Sequence, residues 1–118
     1  MKDCKSDCIF CKIVAKEIPA QVAYEDPGVV AFHDINPQAP VHIQIIPKQH
    51  IARVSELTTQ TLPIVGKLMQ VANQLAGEFK ISEPGYRLVI NCNAGAGQSV
   101  FHLHLHLLGG RPMRWPPG

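Results

Sequence analysis

Residues 101–108 read FHLHLHLL, so that three histidines alternate with apolar residues. Alternation with a period of two is typical of a β-strand that is buried on one face. The pattern predicts a strand over 101–108 in which the leucines and Phe101 enter a core, while His102, His104 and His106 line the opposite face. Side chains on one face of a strand lie about 6.8 Å apart, so a single metal ion held by all three is disfavoured. Imidazoles in a row indicate instead a site for nucleophilic, acid–base or ligand chemistry near neutral pH.

The rest of the chain carries the patterns of four more strands and two helices. Short alternating or β-rich runs predict strands at 22–25, 29–32, 41–46 and 86–91. Apolar residues at helical spacing predict a long helix over 61–80, and a shorter apolar run predicts helical turns over 9–16. Hairpin-length connections favour the α+β class: a five-stranded antiparallel sheet with one long helix and a short N-terminal helix.

Composition limits the class of protein. The 118 residues, 46% of them hydrophobic, suit one globular domain spanning 1–118. A net charge of +2 without a run of Lys or Arg argues against nucleic-acid binding. No apolar stretch approaches the ~18 residues of a membrane span, and the polar N-terminus lacks the apolar region of a secretory signal. We therefore expect a cytoplasmic protein without membrane association, whose four cysteines are thiols or metal ligands.

A glycine-rich loop, 93–99, leads directly into the histidine segment. Gly95 and Gly97 permit left-handed backbone, which turns N–H groups into a concavity that can hold phosphate oxygens. Gln98 and Ser99 add side-chain donors. An ordinary hairpin loop has a similar composition, but the adjacent histidines favour an anion cradle. The Gly-Lys-Ser/Thr ending of a Walker loop is missing.

Two further polar positions are open to alternative interpretations. Asp34 follows the strand over 29–32, where its carboxylate can accept hydrogen bonds from the vicinal hydroxyls of a ribose or can cap the following loop. His42 shares a strand face with Gln44, where it either supports the histidine segment or is a hydrogen-bonded core residue.

The cysteines suggest a metal site that needs other ligands. Cys8 and Cys11 have the C-x2-C spacing of zinc ligands, but a structural site needs two more donors. Cys92 stands alone within a predicted strand and is expected to be a small core residue. Adding Cys4 gives the C-x3-C-x2-C spacing of radical S-adenosylmethionine enzymes with an iron–sulfur cluster. Those enzymes are built on partial (β/α) barrels far longer than 118 residues, so this interpretation is disfavoured.

The segment 102–108 also matches the His-x-His-x-His-x-x motif of the histidine triad (HIT) superfamily, in which x is apolar. The resemblance covers nearly the whole chain and is greatest to the Hint branch of that superfamily. It is carried by the segments 9–13, 17–20, 31–35, 37–40, 46–48, 85–87, 109–112 and 115–118. Hint proteins are purine nucleoside phosphoramidases and homodimers, so the resemblance implies a hydrolase of adenosine or guanosine phosphoramidates.

The resemblance also implies residue roles. His104 would attack the phosphorus of a nucleoside 5′-phosphoramidate, and water would release the nucleoside monophosphate from a nucleotidyl-histidine intermediate. His106 would contact the phosphate and donate a proton, and Asp34 would bind the ribose. The implied catalytic set is His102, His104, His106 and Ser99. The implied nucleotide-binding set is Ile9, Phe10, Phe32, His33, Asp34, Ile35, Asn91, Gly97, Gln98, Ser99, His104 and His106, with the purine between Phe10, Phe32 and Ile35.

In relatives that carry the C-x2-C pair, the resemblance implies a structural zinc ion. Its ligands here would be Cys8, Cys11, His50 and His102, and the phosphorus chemistry itself would need no metal. Two other classes of function compete with the hydrolase. One is a nucleotide-binding regulatory module whose hydrolysis is incidental, and the other is a zinc or iron–sulfur protein whose histidines are ligands.

Overall fold

The computed structural model describes residues 7–118, which form a five-stranded antiparallel sheet with two helices. The helices are α1 (Ile9–Val14) and α2 (Leu62–Glu78). The strands are β1 (Val22–Glu25), β2 (Val29–His33), β3 (Val41–Pro47), β4 (Tyr86–Val89) and β5 (Leu105–Gly109). They lie in the order β1-β2-β3-β5-β4, which confirms the predicted α+β fold. Neither helix in residues 7–118 is long and apolar enough to cross a bilayer.

Helix α2 covers one face of the sheet and forms the main core with it. Ile43 and Ile45 of β3 and Leu105 and Leu107 of β5 project toward the helix, each at most 1% exposed. The helix contributes the buried residues Leu68, Val71, Ala72, Leu75 and Ala76. Burying a Leu or Ile side chain stabilises a fold by about 1.5–3 kcal/mol, so this face anchors β3 and β5 side by side.

The opposite face of the sheet is divided into an apolar end and a polar end. At the apolar end Phe10 of α1 packs against Val30, Phe32 and Ile46. Because side chains alternate along a strand, residues His42 and Gln44 of β3 share the face of Ile46. His106 of β5 pairs with Gln44, so the polar residues lie beside the small apolar cluster.

The histidine segment departs from the predicted strand. Leu103, Leu105 and Leu107 are buried as expected and Leu108 is half-buried, but β5 begins only at Leu105, where the ladder with Ile45 starts. The Leu103 N–H donates instead to the carbonyl of Ile51, outside the sheet, at 2.6 Å. The prediction that Phe101 enters the core was wrong: its side chain is exposed, and the Arg53 guanidinium lies 5.1 Å from its ring centroid. Alternation is equally compatible with an extended segment that leaves the sheet.

Other element ends agree with the sequence prediction or shift by one or two residues. Helix α1 ends at Val14 and helix α2 at Glu78, each followed within two residues by a lysine with left-handed backbone: Lys16 (φ 62°) and Lys80 (φ 61°). Left-handed backbone ends a helix, and lysine gives little sequence signal for it.

Candidate active site and metal cluster

His104 lies just before β5, and its side chain is buried. Its Nδ1 is 2.7 Å from the carbonyl oxygen of His102, which can only accept a hydrogen bond. The proton of neutral His104 is therefore on Nδ1, and Nε2 carries a free lone pair. Burial lowers the pKa of His104, although the hydrogen bond to the His102 carbonyl opposes the effect. The ring is thus an uncharged nitrogen base near neutral pH.

His42 and His106 form a hydrogen-bonded chain with one consistent proton arrangement. The backbone N–H of Gln38 donates to Nδ1 of His42 at 3.0 Å, so neutral His42 carries its proton on Nε2. That Nε2 lies 2.9 Å from Nδ1 of His106. His106 therefore accepts at Nδ1 and holds its own proton on Nε2. Burial lowers the pKa of His42 and lowers that of His106 to about 4. His42 is thus a buried, hydrogen-bonded residue and also contacts the histidine segment, so both interpretations left open for it describe the structure.

Asp34 caps the loop after β2, one of the two roles the sequence allowed, and also contacts residues of β3. Its Oδ1 accepts the Asn36 N–H at 2.8 Å and so caps the loop after β2. Its Oδ2 accepts the Gln44 Nε2–H at 2.7 Å and lies 3.5 Å from Nε2 of His42. One carboxylate oxygen thus faces the loop, and the other faces the histidine chain.

The apolar residues of the implied purine site form one wall rather than a slot between rings. Phe10 and Phe32 meet edge to face at a centroid distance of 5.4 Å, too close for a base to enter between them. Phe10 also contacts His104 edge to face at 5.2 Å. Ile35 is fully exposed in the loop after β2, and Ile9 is about half exposed.

His33 lies on the opposite face from these residues. Its ring contacts Phe79 at the end of α2 with a centroid distance of 5.5 Å. Strand alternation places Phe32 toward Phe10 and therefore turns His33 toward the helix.

The glycine-rich loop is held by its own glutamine. Gln98 is buried, its Oε1 accepts the Asn93 N–H at 2.8 Å, and its Nε2 donates to the carbonyls of Ala52 and Val100. Both amide hydrogens of Gln98 thus serve the loop. Gly97 has the left-handed backbone that the sequence indicated, at φ 94°. Ser99 is exposed beyond it, and Asn91 is half-buried.

A second cluster brings together the four implied zinc ligands. The donor atoms of Cys8, Cys11, His50 and His102 all lie within 4.8 Å of one another. Cys8 is the N-cap of α1, and its Sγ accepts the Cys11 N–H. His102 is fully buried, and its Nε2 donates to the Pro47 carbonyl at 2.8 Å, which leaves the Nδ1 lone pair facing the thiols. Burial lowers the pKa of His102 to about 4, so the ring is neutral, as a metal ligand must be.

The spacing of these donors fits a tetrahedral zinc ion. Ligand bonds of about 2.0–2.3 Å at tetrahedral angles put neighbouring donors about 3.3–3.8 Å apart. Nδ1 of His102 is 3.4 Å from Cys8 Sγ, 3.5 Å from Cys11 Sγ and 3.2 Å from Nδ1 of His50. Nδ1 of His50 is 3.3 Å from Cys11 Sγ. Two thiols and two imidazoles are also the ligand chemistry that zinc prefers.

The remaining cysteines do not join this cluster within the part of the chain that the structure describes. Cys92 is half-buried rather than a core residue, with its Sγ 3.5 Å from Ser55 Oγ. Cys4, on which the radical-enzyme spacing depends, lies outside residues 7–118. The observed sheet is not a (β/α) barrel, so the fold contradicts that interpretation.

A cavity of about 430 Å³ opens beside the metal cluster, with Cys8, His50, Ile9 and Ser99 in its lining. His104 and His106 do not line it.

Fold and sequence together define the chain as a member of the HIT family. The model of the HIT domain matches residues 15–113. The chain is 46% identical to the purine nucleoside phosphoramidase of Escherichia coli, covering 91% of this chain and 90% of that protein. It is 50% identical to the 14 kDa zinc-binding protein of Zea mays, covering 96% of this chain and 89% of the relative. A solved HIT family hydrolase from Legionella pneumophila Philadelphia 1 superposes with a TM-score of 0.93 at 52% identity, covering 95% of this chain and 100% of that one.

Proposed function

We propose that the protein is a hydrolase that cleaves the P–N bond of purine nucleoside 5′-phosphoramidates through a nucleotidyl-histidine intermediate. The observation that carries this proposal is the proton arrangement of His104, whose Nδ1 is committed to the His102 carbonyl. A neutral imidazole with a fixed tautomer is a good nucleophile at its other nitrogen. The name of the Escherichia coli relative supports the choice of a phosphoramidate as substrate.

The reaction proceeds in two halves. His104 Nε2 attacks the phosphorus and the P–N bond breaks. His106 donates its Nε2–H as a hydrogen bond to the phosphate and leaving group, while the departing nitrogen takes up a proton from solvent and leaves as an amine. Water then attacks the phosphorus of the intermediate and releases a proton to solvent, and the nucleoside monophosphate leaves as His104 regains its Nε2 lone pair. A well-placed hydrogen-bond donor of this kind typically contributes about 10²–10³-fold to a rate.

The substrate lies across the polar end of the sheet. The Phe10–Phe32 wall and Ile35 contact the purine, with Ile9 nearby. Asp34 accepts hydrogen bonds from the ribose hydroxyls. The remaining contacts to the phosphate and leaving group come from Gly97 and Ser99 of the glycine-rich loop, which Gln98 holds in shape, and from Asn91 after β4. Stacking on apolar residues accepts either purine.

The cluster of Cys8, Cys11, His50 and His102 holds a structural zinc ion. With four protein ligands it is closed to substrate, so it supplies stability rather than chemistry. His102 also offers its carbonyl to His104, and a fixed His102 therefore fixes the orientation of the nucleophile. The name of the Zea mays relative supports the metal assignment.

The protein works as a homodimer and reaches its substrate in the cytoplasm. Leu62 and Met69 are exposed on the outer side of α2. Within residues 7–118, β4 pairs only with β5, so its other edge is open. Exposed apolar side chains and an open strand edge each support a protein contact.

Intact-protein mass spectrometry during turnover of an adenosine 5′-phosphoramidate tests the proposal. We expect a transient gain of one adenylate in the native protein and no adduct in His104→Ala. Turnover without any adduct in a rapid quench would indicate direct attack by water. Binding of the monophosphate with hydrolysis near the uncatalysed rate would favour the regulatory module instead.

A further inference from the structure

Gln44 is a polar residue at the centre of the candidate active site that the proposed chemistry does not use. It pairs with Phe32 of β2 on one side and with His106 of β5 on the other. Its Nε2 lies 2.7 Å from Asp34 Oδ2. A carboxylate oxygen only accepts hydrogen bonds, so the amide nitrogen and not the amide oxygen must face Asp34.

The amide oxygen of Gln44 indicates that the residue is retained for its Nε2–H donor. Gln44 Oε1 is buried, and no donor within residues 7–118 reaches it. A buried carbonyl without a partner is unfavourable, and an apolar residue of similar size would avoid the cost. Groups that are unfavourable for stability, such as this buried oxygen, are expected where a function requires them.

The function that we assign to Gln44 concerns the hydrogen bond donated by His42 Nε2–H, for which two acceptors compete. This N–H has two acceptors within reach, Nδ1 of His106 at 2.9 Å and Asp34 Oδ2 at 3.5 Å. A carboxylate is a stronger acceptor than a neutral imidazole. A movement of about 0.6 Å, the difference between these distances, would bring Asp34 to the preferred length of a hydrogen bond.

We propose that Gln44 is a positioning residue that keeps Asp34 from capturing the His42 proton. By donating to Oδ2, Gln44 satisfies part of the carboxylate and holds it away from the His42–His106 pair, while Asn36 holds Oδ1. His42 then donates to His106, and the His106 proton stays on Nε2. The catalytic consequence rests on the proposed function, but the proton arrangement itself does not.

Imidazole ¹⁵N NMR of the ligand-free protein at pH 7.5 tests this inference. In the native protein we expect an unprotonated Nδ1 and a protonated Nε2 for His106. In Gln44→Leu we expect averaged shifts for His106, because His42 donates to Asp34. Adding Asp34→Asn to Gln44→Leu removes the competing charge and should restore the native His106 pattern. Gln60→Leu, in the exposed turn before α2, should leave every imidazole shift unchanged.

Thermal unfolding and kinetics complete the experiment. Gln44→Leu should unfold no earlier than the native protein, since it removes an unpaired carbonyl, while kcat falls about tenfold. Gln44→Met is the second variant if Leu disturbs packing. Native His106 shifts in both variants, or averaged shifts already in the native protein, would overturn the inference. A native protein that hydrolyses no phosphoramidate would overturn the proposed function and leave the NMR result standing.

Discussion

At the scale of single residues, the tautomer of each buried histidine follows from its hydrogen-bond partner, which can only accept or can only donate. The carbonyl of His102 fixes the His104 proton, the amide of Gln38 fixes that of His42, and the carbonyl of Pro47 fixes that of His102. Each partner is a backbone group, whose role cannot change. Burial, which holds the pKa of each ring below its ordinary value, keeps these rings neutral. The site is therefore organised before a substrate arrives.

The prediction at this scale concerns His42. Replacing it in His42→Leu removes the donor to His106 Nδ1, so that the His106 proton is no longer confined to Nε2. We expect kcat to fall about 10–100-fold, less than the full loss of a well-placed hydrogen-bond donor. Single-turnover kinetics with an adenosine phosphoramidate would measure the loss.

Product binding supplies the control for His42→Leu. The affinity for AMP, measured by calorimetry, should change little, because His42 is buried behind His106 and is not assigned to the nucleotide. A variant with native kcat would mean that the tautomer of His106 is set by the substrate.

At the scale of elements, the metal cluster connects three parts of the chain that are distant in sequence. Cys8 and Cys11 belong to the start of α1, His50 follows β3, and His102 precedes β5. Helix α1 has only six residues, too few to be stable alone. Its position against the sheet depends on the Phe10 cluster and on these ligands. A metal ion there would hold α1 next to the segment that carries His104.

The prediction at this scale compares two cysteines. We expect one zinc ion per chain in the native protein and in Cys92→Ser, whose thiol lies near Ser55, and little zinc in Cys11→Ser. A ligand at 100 times its dissociation constant stabilises a fold by about 2.7 kcal/mol, so Cys11→Ser should lose about 3 kcal/mol of unfolding free energy. Metal analysis and chemical denaturation measure both effects.

The chemical rate, measured with and without the metal, distinguishes a structural zinc ion from a catalytic one. Native protein stripped with a chelator should unfold earlier but keep its chemical rate within about threefold at a temperature where it remains folded. A chemical rate that disappears with the metal and returns with zinc would show that the ion takes part in the reaction.

At the scale of the whole molecule, strong periodicity was predictable and local backbone geometry was not. The helix over α2 and the alternation in β3 were predictable because burial enforces those periods, although Met69 and Phe79 of the apolar stripe are exposed and Val71 lies in the core instead. The start of β5 was missed because Leu103 bonds to Ile51 rather than to the sheet, a long-range choice invisible in sequence. The contact of His42 with His106 depends likewise on the pairing of β3 with β5. Resemblance supplied residue roles that spacing alone left open.

The last prediction follows from keeping histidines neutral in a folded chain. Burial lowers the pKa of His106 to about 4, whereas an unfolded histidine titrates near 6.5. Between these two pH values His106 is protonated in the unfolded chain but not in the folded chain. The unfolding free energy therefore falls as the pH drops from about 6.5 to 4. We expect His106 to contribute roughly 2 kcal/mol of this loss, allowing for solvent near its half-buried ring. Urea denaturation at pH 7.5 and pH 4.5 should show a smaller loss in His106→Asn by that amount. An equal loss in both proteins would mean that the fold does not lower the pKa of His106 below that of the unfolded chain.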